Sequence, residues 1–342
     1  MIVLGANLTM DRTLSMERLI PGHVMRPRTA VATGGGKAVN VCRAAWAHGV
    51  RPRLVANLPG RWGDIVGDML EAEGHDLRRV PTSGEIRSAI VILEDDGRAT
   101  VLNEPGPDLT AADRRALIDA LDDELGGAAA VGRPHRVLVA SGSLPPGDHA
   151  TGLYAEVVER AHAHRVPIVL DAARADLDAA LPAHPDIVTP NLSEALAVLG
   201  SALAGESVEP DLPDVRRVAL AAASALRAAG ARAALVTVGR HGVAGAYPLR
   251  PGSVAGSTSE TSSPHPDEIT FWVDAPTVRE VNPIGAGDSF AAGLAVGLDR
   301  GLSLPEATVL AVATGAASVA TELAGGVDPD LLAALIDQVT GP

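Results

Sequence analysis

The sequence carries one cysteine, Cys42, so no internal disulfide can form and the chain suits a reducing compartment. Its neighbours, Asn40-Val41 and Arg43-Ala44-Ala45, read as helix, where Cys42 is either buried filler or a reactive thiol. Aromatic residues make up only 2% against 46% hydrophobic residues, so the core has to be built from Ala, Val, Leu and Ile. No apolar run reaches the roughly 20 residues that a membrane-spanning helix needs. The start, MIVLGANL, lacks the charged region and long apolar stretch of a signal peptide. The expectation is a soluble, cytoplasmic protein without a membrane partner. A formal net charge of −14 argues against a general nucleic-acid binder, while a small anionic substrate in a locally basic site stays open. Metal-type Cys/His clusters, internal repeats and heptads are missing, and none of the ten scattered histidines is assigned a ligand role.

Lysine is almost absent as well. Every basic residue but one is arginine, and the exception, Lys37, follows Gly34-Gly35-Gly36. In a chain so biased, a lone lysine beside a glycine turn reads as an anion ligand, with a solvated loop lysine as the alternative. The turn leads into Ala38–His48, helical by the spacing of Val39, Cys42, Ala45 and Trp46. Its GGGKAVN fits neither the GxGxxG of a dinucleotide site nor the GK[ST] of a P-loop.

A second glycine turn organises the chain: Val281-Asn282-Pro283-Ile284-Gly285-Ala286-Gly287-Asp288, running into the small-residue helix that ends near Leu298. A glycine turn opening a helix presents free amides and the positive end of the dipole to an anion. Asp288 stands in that first turn, either as a base beside a phosphate or as a helix cap.

The rest is organised around these two turns. Ile2–Gly5 reads as a buried strand followed by Asn7 and Asp11, where parallel-sheet proteins place ligands, with a plain turn former as the alternative for Asp11. Residues 12–30 have no helical period, and Ser88–Leu93 and Thr100–Asn103 flank Asp95-Asp96-Gly97, a hairpin signal. Together they predict a small separate sheet, with Arg87 at its entrance either as a site cation or as a surface charge. Strands are expected at 54–58, 136–140, 166–170, 186–189, 233–238 and 269–273, and helices at 62–72, 110–125, 151–164, 214–229, 305–322 and 328–339. Strand–loop–helix repetition with polar or glycine-rich strand ends indicates a parallel sheet covered on both faces. Pro251–Asp267, rich in Ser, Thr, Pro and Gly, reads as a mobile surface insertion.

These segments together resemble the ribokinase-like (PfkB) family of carbohydrate kinases over essentially the whole chain. The resemblance rests on Gly35-Gly36-Lys37-Ala38-Val39-Asn40 and on Ile284-Gly285-Ala286-Gly287-Asp288. It is closer to the 1-phosphofructokinase and tagatose-6-phosphate kinase branch through Asp11-Arg12-Thr13, Asn103-Glu104-Pro105-Gly106-Pro107, Ser141-Gly142-Ser143-Leu144-Pro145-Pro146-Gly147 and Asn282. It implies an α/β three-layer sandwich with a mostly parallel central sheet and a small β-sheet lid. The core would comprise 1–11, 31–84 and 106–342, and the lid 12–30 and 85–105.

The resemblance also implies roles. Asp288 would deprotonate the substrate hydroxyl, and the amides of Gly285, Ala286 and Gly287 would stabilise the transferring phosphoryl group. Asp11 and Asn40, with Gly35, Gly36 and Ser141 around them, would hold the sugar. Lys37, Arg87 and Arg26 would bind a phosphate already on it. Asn191 and Glu194 match an N-x-x-E element that organises the Mg²⁺ of Mg-ATP through water, and Thr237, Gly239 and Gly242 match a nucleotide-phosphate turn. The lid would exclude water and pair two subunits into a homodimer.

Three positions depart from the pattern: Ala38 in place of a glycine, Leu8-Thr9 in place of Pro-Ala, and Thr189 in place of a lysine. The expected activity is ATP-dependent phosphorylation of a phosphorylated ketohexose, with fructose 1-phosphate becoming fructose 1,6-bisphosphate. Tagatose 6-phosphate, fructose 6-phosphate or an unphosphorylated sugar or nucleoside are the alternatives. A non-catalytic sugar- or nucleotide-binding regulator is the reading from another class.

Overall fold

The computed structural model describes residues 1–130, 137–172, 174–200, 214–249 and 267–339. The chain opens with β1 (Ile2–Gly5), leaves for β2 (Thr9–Met16) and β3 (Thr29–Gly35), and returns through α1 (Lys37–Trp46) to β4 (Arg53–Pro59). After α2 (Gly60–Glu73) and β5 (Asp76–Thr82) comes a second excursion, β6 (Arg87–Glu94) and β7 (Ala99–Asn103). From α3 (Ala111–Ala130), strand and helix alternate through β8 (Leu138–Ser141), α4 (Leu153–Ala163), β9 (Ile168–Asp171), α5 (Arg174–Ala180) and β10 (Ile187–Val188). Then come α6 (Leu192–Leu199), α7 (Val215–Ala228) and β11 (Ala233–Thr237). The strands β12 (Val243–Pro248) and β13 (Glu268–Val273) precede α8 (Ala286–Asp299), α9 (Leu304–Val319) and α10 (Pro329–Ile336).

Nine strands form one sheet in the order β13-β12-β11-β10-β9-β8-β1-β4-β5. Pairing is parallel from β11 to β5 and antiparallel for β12 and β13 at the other edge. Successive strand residues point to opposite faces, so an apolar strand feeds two cores at once. Ile2, Leu4, Leu138, Ala140, Ile168 and Leu170 enter one core with α3, α4, α5, α6 and α7. Val3, Val137, Val139 and Val169 enter the other with α1, α2, α8, α9 and α10. The result is a three-layer α/β sandwich, and its cores are aliphatic as the composition demands.

The two excursions meet in a four-stranded sheet, β3-β2-β6-β7. Asp95-Asp96-Gly97 closes the β6–β7 hairpin as its sequence predicts, while β2 lies parallel to β6. β2 begins at Thr9 and β3 ends at Gly35, so the small sheet takes in Asp11 and runs directly into the glycine turn before α1. The insertion read at 251–267 lies outside the described residues apart from Asp267. No helix of the described residues is long and apolar enough to cross a membrane.

Candidate active site

The turn before α8 is built by side-chain amide chemistry as much as by glycine. The Val281 and Asn282 amides donate to the Val319 carbonyl at 2.7 and 3.0 Å. The Asn282 side chain donates to Glu322 O at 2.9 Å and accepts from the Ile284 amide at 3.0 Å. An aspartate could accept here but not donate. Gly285 then adopts φ 88°, and a β-carbon on it would lie 2.8 Å from the Gly325 nitrogen. Among the described residues the Gly287 and Asp288 amides find no carbonyl partner and Ala286 makes only a long 3.4 Å contact to Pro283 O; Ser289, donating to Gly285 O at 2.9 Å, begins the regular ladder. Gly287 is exposed, with open space where a side chain would stand.

Asp288 occupies that first turn and is buried, accepting a 2.8 Å hydrogen bond from Asn40 Nδ2 on α1. Burial pushes its carboxyl up, to about 7. Lys37 and the Asn40 hydrogen bond pull the other way, while Asp171 and Glu194 add to the rise. One turn before Asn40, Lys37 Nζ reaches Asp171 Oδ2 at 3.3 Å, and the same oxygen accepts from Ser141 Oγ at 2.8 Å. Asp171, with smaller contributions from Asp288 and Glu194, holds the Lys37 ammonium firmly charged against the cost of its burial. Asp171 stands outside the site residues that the sequence motifs mark. It ends β9 as Ile-Val-Leu-Asp, and the strand-end argument that marked Asp11 applies to it equally.

A second group lies at the junction of the two sheets. Asp11, on β2, accepts a short hydrogen bond from Thr9 Oγ1. Burial raises its carboxyl above the usual range, opposed by that bond and by Arg43 and Arg87. A β-carbon on Gly35 would fall 1.9 Å from Asp11 Oδ2, so only glycine fits opposite this carboxylate. Gly36 carries the turn from there into α1. Arg87, at the start of β6, donates twice to Asn7 O (3.2 and 3.0 Å) and once to Glu104 O (3.2 Å). The Asn7 amide donates to Pro105 O, Ser143 Oγ and Leu144 O, so the segments 103–107 and 141–147 converge on it. Arg26 is not brought in. It lies exposed on the β2–β3 connection and, among the described residues, makes no hydrogen bond or ion pair.

The third group lines the ends of β10 and β11. Asn191 caps α6 in a reciprocal box: its Oδ1 accepts from the Glu194 amide at 2.9 Å, and its amide donates to Glu194 Oε2 at 3.0 Å. A single parallel bridge joins Asn191 to Thr237, and the turn at Gly239–His241 ends at Gly242. Among the described residues no three acidic, His or Cys side chains are grouped to hold a metal by themselves. Mg²⁺ takes oxygen donors, keeps several waters and needs one or two carboxylates beside substrate phosphates, and Asn191 and Glu194 are donors of that chemistry. Two departures from the family pattern also find their places. The Ala38 methyl is buried near Gly5, at the side of Leu8, in the core. Thr189 is buried with its hydroxyl unpartnered in the protein.

The chain matches the model of the pfkB family carbohydrate kinases over residues 1–330. It is similar in structure to phosphofructokinase-2 from Escherichia coli, at 21% identity and a TM-score of 0.79, covering 98% of each chain. A Thermotoga maritima protein named as a possible 1-phosphofructokinase gives 20% identity and a TM-score of 0.77, covering 100% of this chain and 98% of that one. Arabidopsis thaliana ribokinase, solved with ribose and ATP, gives 19% and 0.66, with 98% of each chain covered. This protein belongs to the pfkB family of carbohydrate kinases and has the ribokinase-like fold.

Proposed function

We propose that this kinase transfers the γ-phosphoryl group of ATP to a hydroxyl of a phosphorylated ketohexose, with fructose 1-phosphate as the substrate and fructose 1,6-bisphosphate as the product. One observation carries the reading: a buried carboxylate, Asp288, stands in the anion-attracting first turn of α8 and is joined through Asn40 to the helix that bears Lys37.

The reaction uses these groups in turn. Asp288 takes the proton of the acceptor hydroxyl, whose oxygen attacks the γ-phosphorus in line as the bond to the leaving ADP oxygen breaks. A base titrating near neutrality is matched to that transfer. The unpaired amides of the α8 turn face the charge that spreads over the moving phosphoryl oxygens. Asp11 and Asn40 hold sugar hydroxyls. Lys37 and Arg87 supply the positive charge for the phosphate the sugar already carries. Asn191 and Glu194 would hold Mg²⁺ through water, and Thr237, Gly239 and Gly242 would face the nucleotide phosphates. Bound Mg²⁺ supplies positive charge to the phosphates. The small sheet serves as a lid that excludes water, and we extend the reading to a homodimer formed through it in the cytoplasm. The buried Cys42 thiol, pushed up by its burial, suits that compartment.

A second reading has an observation of its own. Lys37 is already paired with Asp171, and Arg87 already bonds two carbonyls, so both cations have partners without a phosphate. An unphosphorylated sugar then becomes the acceptor. ADP release with Mg-ATP, measured over phosphosugars paired with their unphosphorylated parents, separates the two. Selective turnover of fructose 1-phosphate is expected, and in Lys37→Ala the KM should rise about tenfold or more for phosphosugars only. Turnover confined to unphosphorylated sugars would reject the phosphate site.

A further inference from the structure

Behind the site lies a buried guanidinium that the reaction outlined above does not use. Arg43, two turns into α1, is only 6% exposed. It forms a two-pronged pair with Glu73 at the end of α2, Nε to Oε1 at 2.6 Å and Nη2 to Oε2 at 2.8 Å. Burial alone would raise the Glu73 carboxyl, but the hydrogen bonds from Arg43 and the nearby His75 ring, 3.7 Å away, hold it down at about 2. This pair neutralises the buried charge and would by itself satisfy a purely structural arginine. The guanidinium does more. Nη2 also donates to Gly34 O on β3 at 2.9 Å, and Nη1 points to Asn40 Oδ1 at 3.5 Å.

We infer that Arg43 is a positioning residue: it keeps the Asn40 amide turned with its nitrogen toward Asp288, and through Gly34 it ties that orientation to the small sheet. The argument is one of donor and acceptor identity. The two ends of an asparagine amide are alike in shape but opposite in polarity, and a guanidinium only donates. With its oxygen toward Arg43, Asn40 must offer Nδ2 to Asp288. A flipped amide would set two donors against each other at Arg43 and press Oδ1 against the carboxylate. At 3.5 Å the contact orients by charge more than it binds. It needs only to make one of two otherwise equivalent orientations the stable one. The same cation also acts on Asp11, pulling its carboxyl down against the rise from burial. β3 joins the sugar side at Gly35, the next residue after the one Arg43 holds, so movement of the small sheet reaches Asn40 through this group.

The groups facing Asp288 are Asn40 and Lys37 from α1, Asp171 from β9 and Glu194 from α6. None of these four residues is itself substituted when Arg43 is replaced, so a shift at Asp288 reads the altered orientation of the Asn40 amide. The test compares Glu73→Gln with the double variant Arg43→Met/Glu73→Gln, so that no carboxylate is stranded. Glu73→Gln keeps the Arg43 contacts to Gly34 and Asn40 and should retain the wild-type pH profile. In the double variant kcat should fall about 10- to 100-fold relative to Glu73→Gln, with KM for ATP within about twofold. The Asp288 carboxyl, followed by carbon NMR in nucleotide-free and metal-free protein, should titrate about one pH unit higher. An unmoved titration with kcat within about twofold of Glu73→Gln would overturn the inference. If the double variant does not fold, Arg43→Lys/Glu73→Gln carries the test: the ammonium cannot reach all three partners, and the same upward shift is expected, its absence counting against Arg43. The kinetic arm rests on the proposed function, whereas the titration does not. A wild-type protein inactive on every sugar overturns the former, and an unmoved titration overturns the role of Arg43.

Discussion

A carboxylate in the position of Asp288 is costly to the fold. Its ordinary value is 3.8, and burial, partly offset by Lys37 and Asn40, lifts it to about 7. Below pH 3.8 the group is protonated in both folded and unfolded chains and costs nothing. Between about 4 and 7 the folded protein retains a proton that the unfolded chain has lost, so stability falls as pH rises through that window. Above 7 the cost is fully present. Asp288→Asn keeps the shape and an oxygen to accept from Asn40, and it removes the buried charge. The variant should therefore be more stable than wild type by about 1 to 3 kcal/mol at pH 8, with the gain shrinking toward pH 4. Thermal melts across that range read it directly. The loss of its attraction to Lys37 is already contained in the value near 7, so it does not reverse the sign. Turnover should fall by about two to four orders of magnitude while ATP binding stays nearly intact, since the base acts on the acceptor. Near-normal turnover would remove Asp288 from its role. Wild-type kcat should itself decline below about pH 7 as the base takes up a proton.

Among the elements, α8 and α9 show how the site is held rigid. A β-carbon on Gly293 would lie 2.4 Å from Thr314 Oγ1 and 2.9 Å from Ala311 Cα, so the two helices touch backbone to backbone behind Asp288. Gly293→Val should destabilise by about 1 to 3 kcal/mol through overpacking. Gly127, in α3, meets nothing within 4 Å, and Gly127→Ala should stabilise by about 0.5 to 1 kcal/mol. Urea melts of the two variants should move in opposite directions, although both replace a helical glycine by something larger. Such contrasts mark the limit of what the sequence makes legible. The small-residue run after Asp288 reads as a close-packed helix, but which glycine meets a neighbour depends on α9, which follows several residues later in the chain. Strand–helix alternation was readable because buried parallel strands are uniformly apolar. β5 is not legible as a strand, since Asp-Leu-Arg-Arg-Val-Pro-Thr sits at the sheet edge and pairs with β4 alone. In the site, Asp288, Lys37 and Asn40 announce themselves by standing in glycine turns or just after one. Arg43 and Asp171 do not, because Glu73 and Lys37, which give them meaning, lie 30 and 134 residues away. Arg26 shows the converse: a cation in the right segment, left exposed on a connection.

For the molecule as a whole, the small sheet presents a surface that one chain does not cover. The registers place Val31, Thr13, Val91 and Val101 in one row across β3, β2, β6 and β7. Side chains paired across a sheet share a face, and Asp11, two residues before Thr13, points to that face too. Leu93 lies on it as well, two residues beyond Val91. Val31 and Val101, at the two ends of the row, are 56% and 41% exposed, on the face that also carries Asp11, the proposed sugar ligand. A second copy laying its own row against this one would bury both and shield Asp11 from water. The wild-type protein is therefore expected to sediment as a dimer. Val31→Asp/Val101→Asp should shift it to a monomer, because it places acidic groups of both partners in one desolvated contact of an already acidic chain. The monomer should remain folded, since neither valine belongs to the two cores, and its far-UV spectrum and melting temperature should stay close to those of the wild type. Its KM for the sugar should rise while that for ATP is unchanged, because the proposed nucleotide groups lie at the ends of β10 and β11, in the other sheet. A wild-type protein that sediments as a monomer at micromolar concentration, with full turnover, would mean that one lid closes the site unaided.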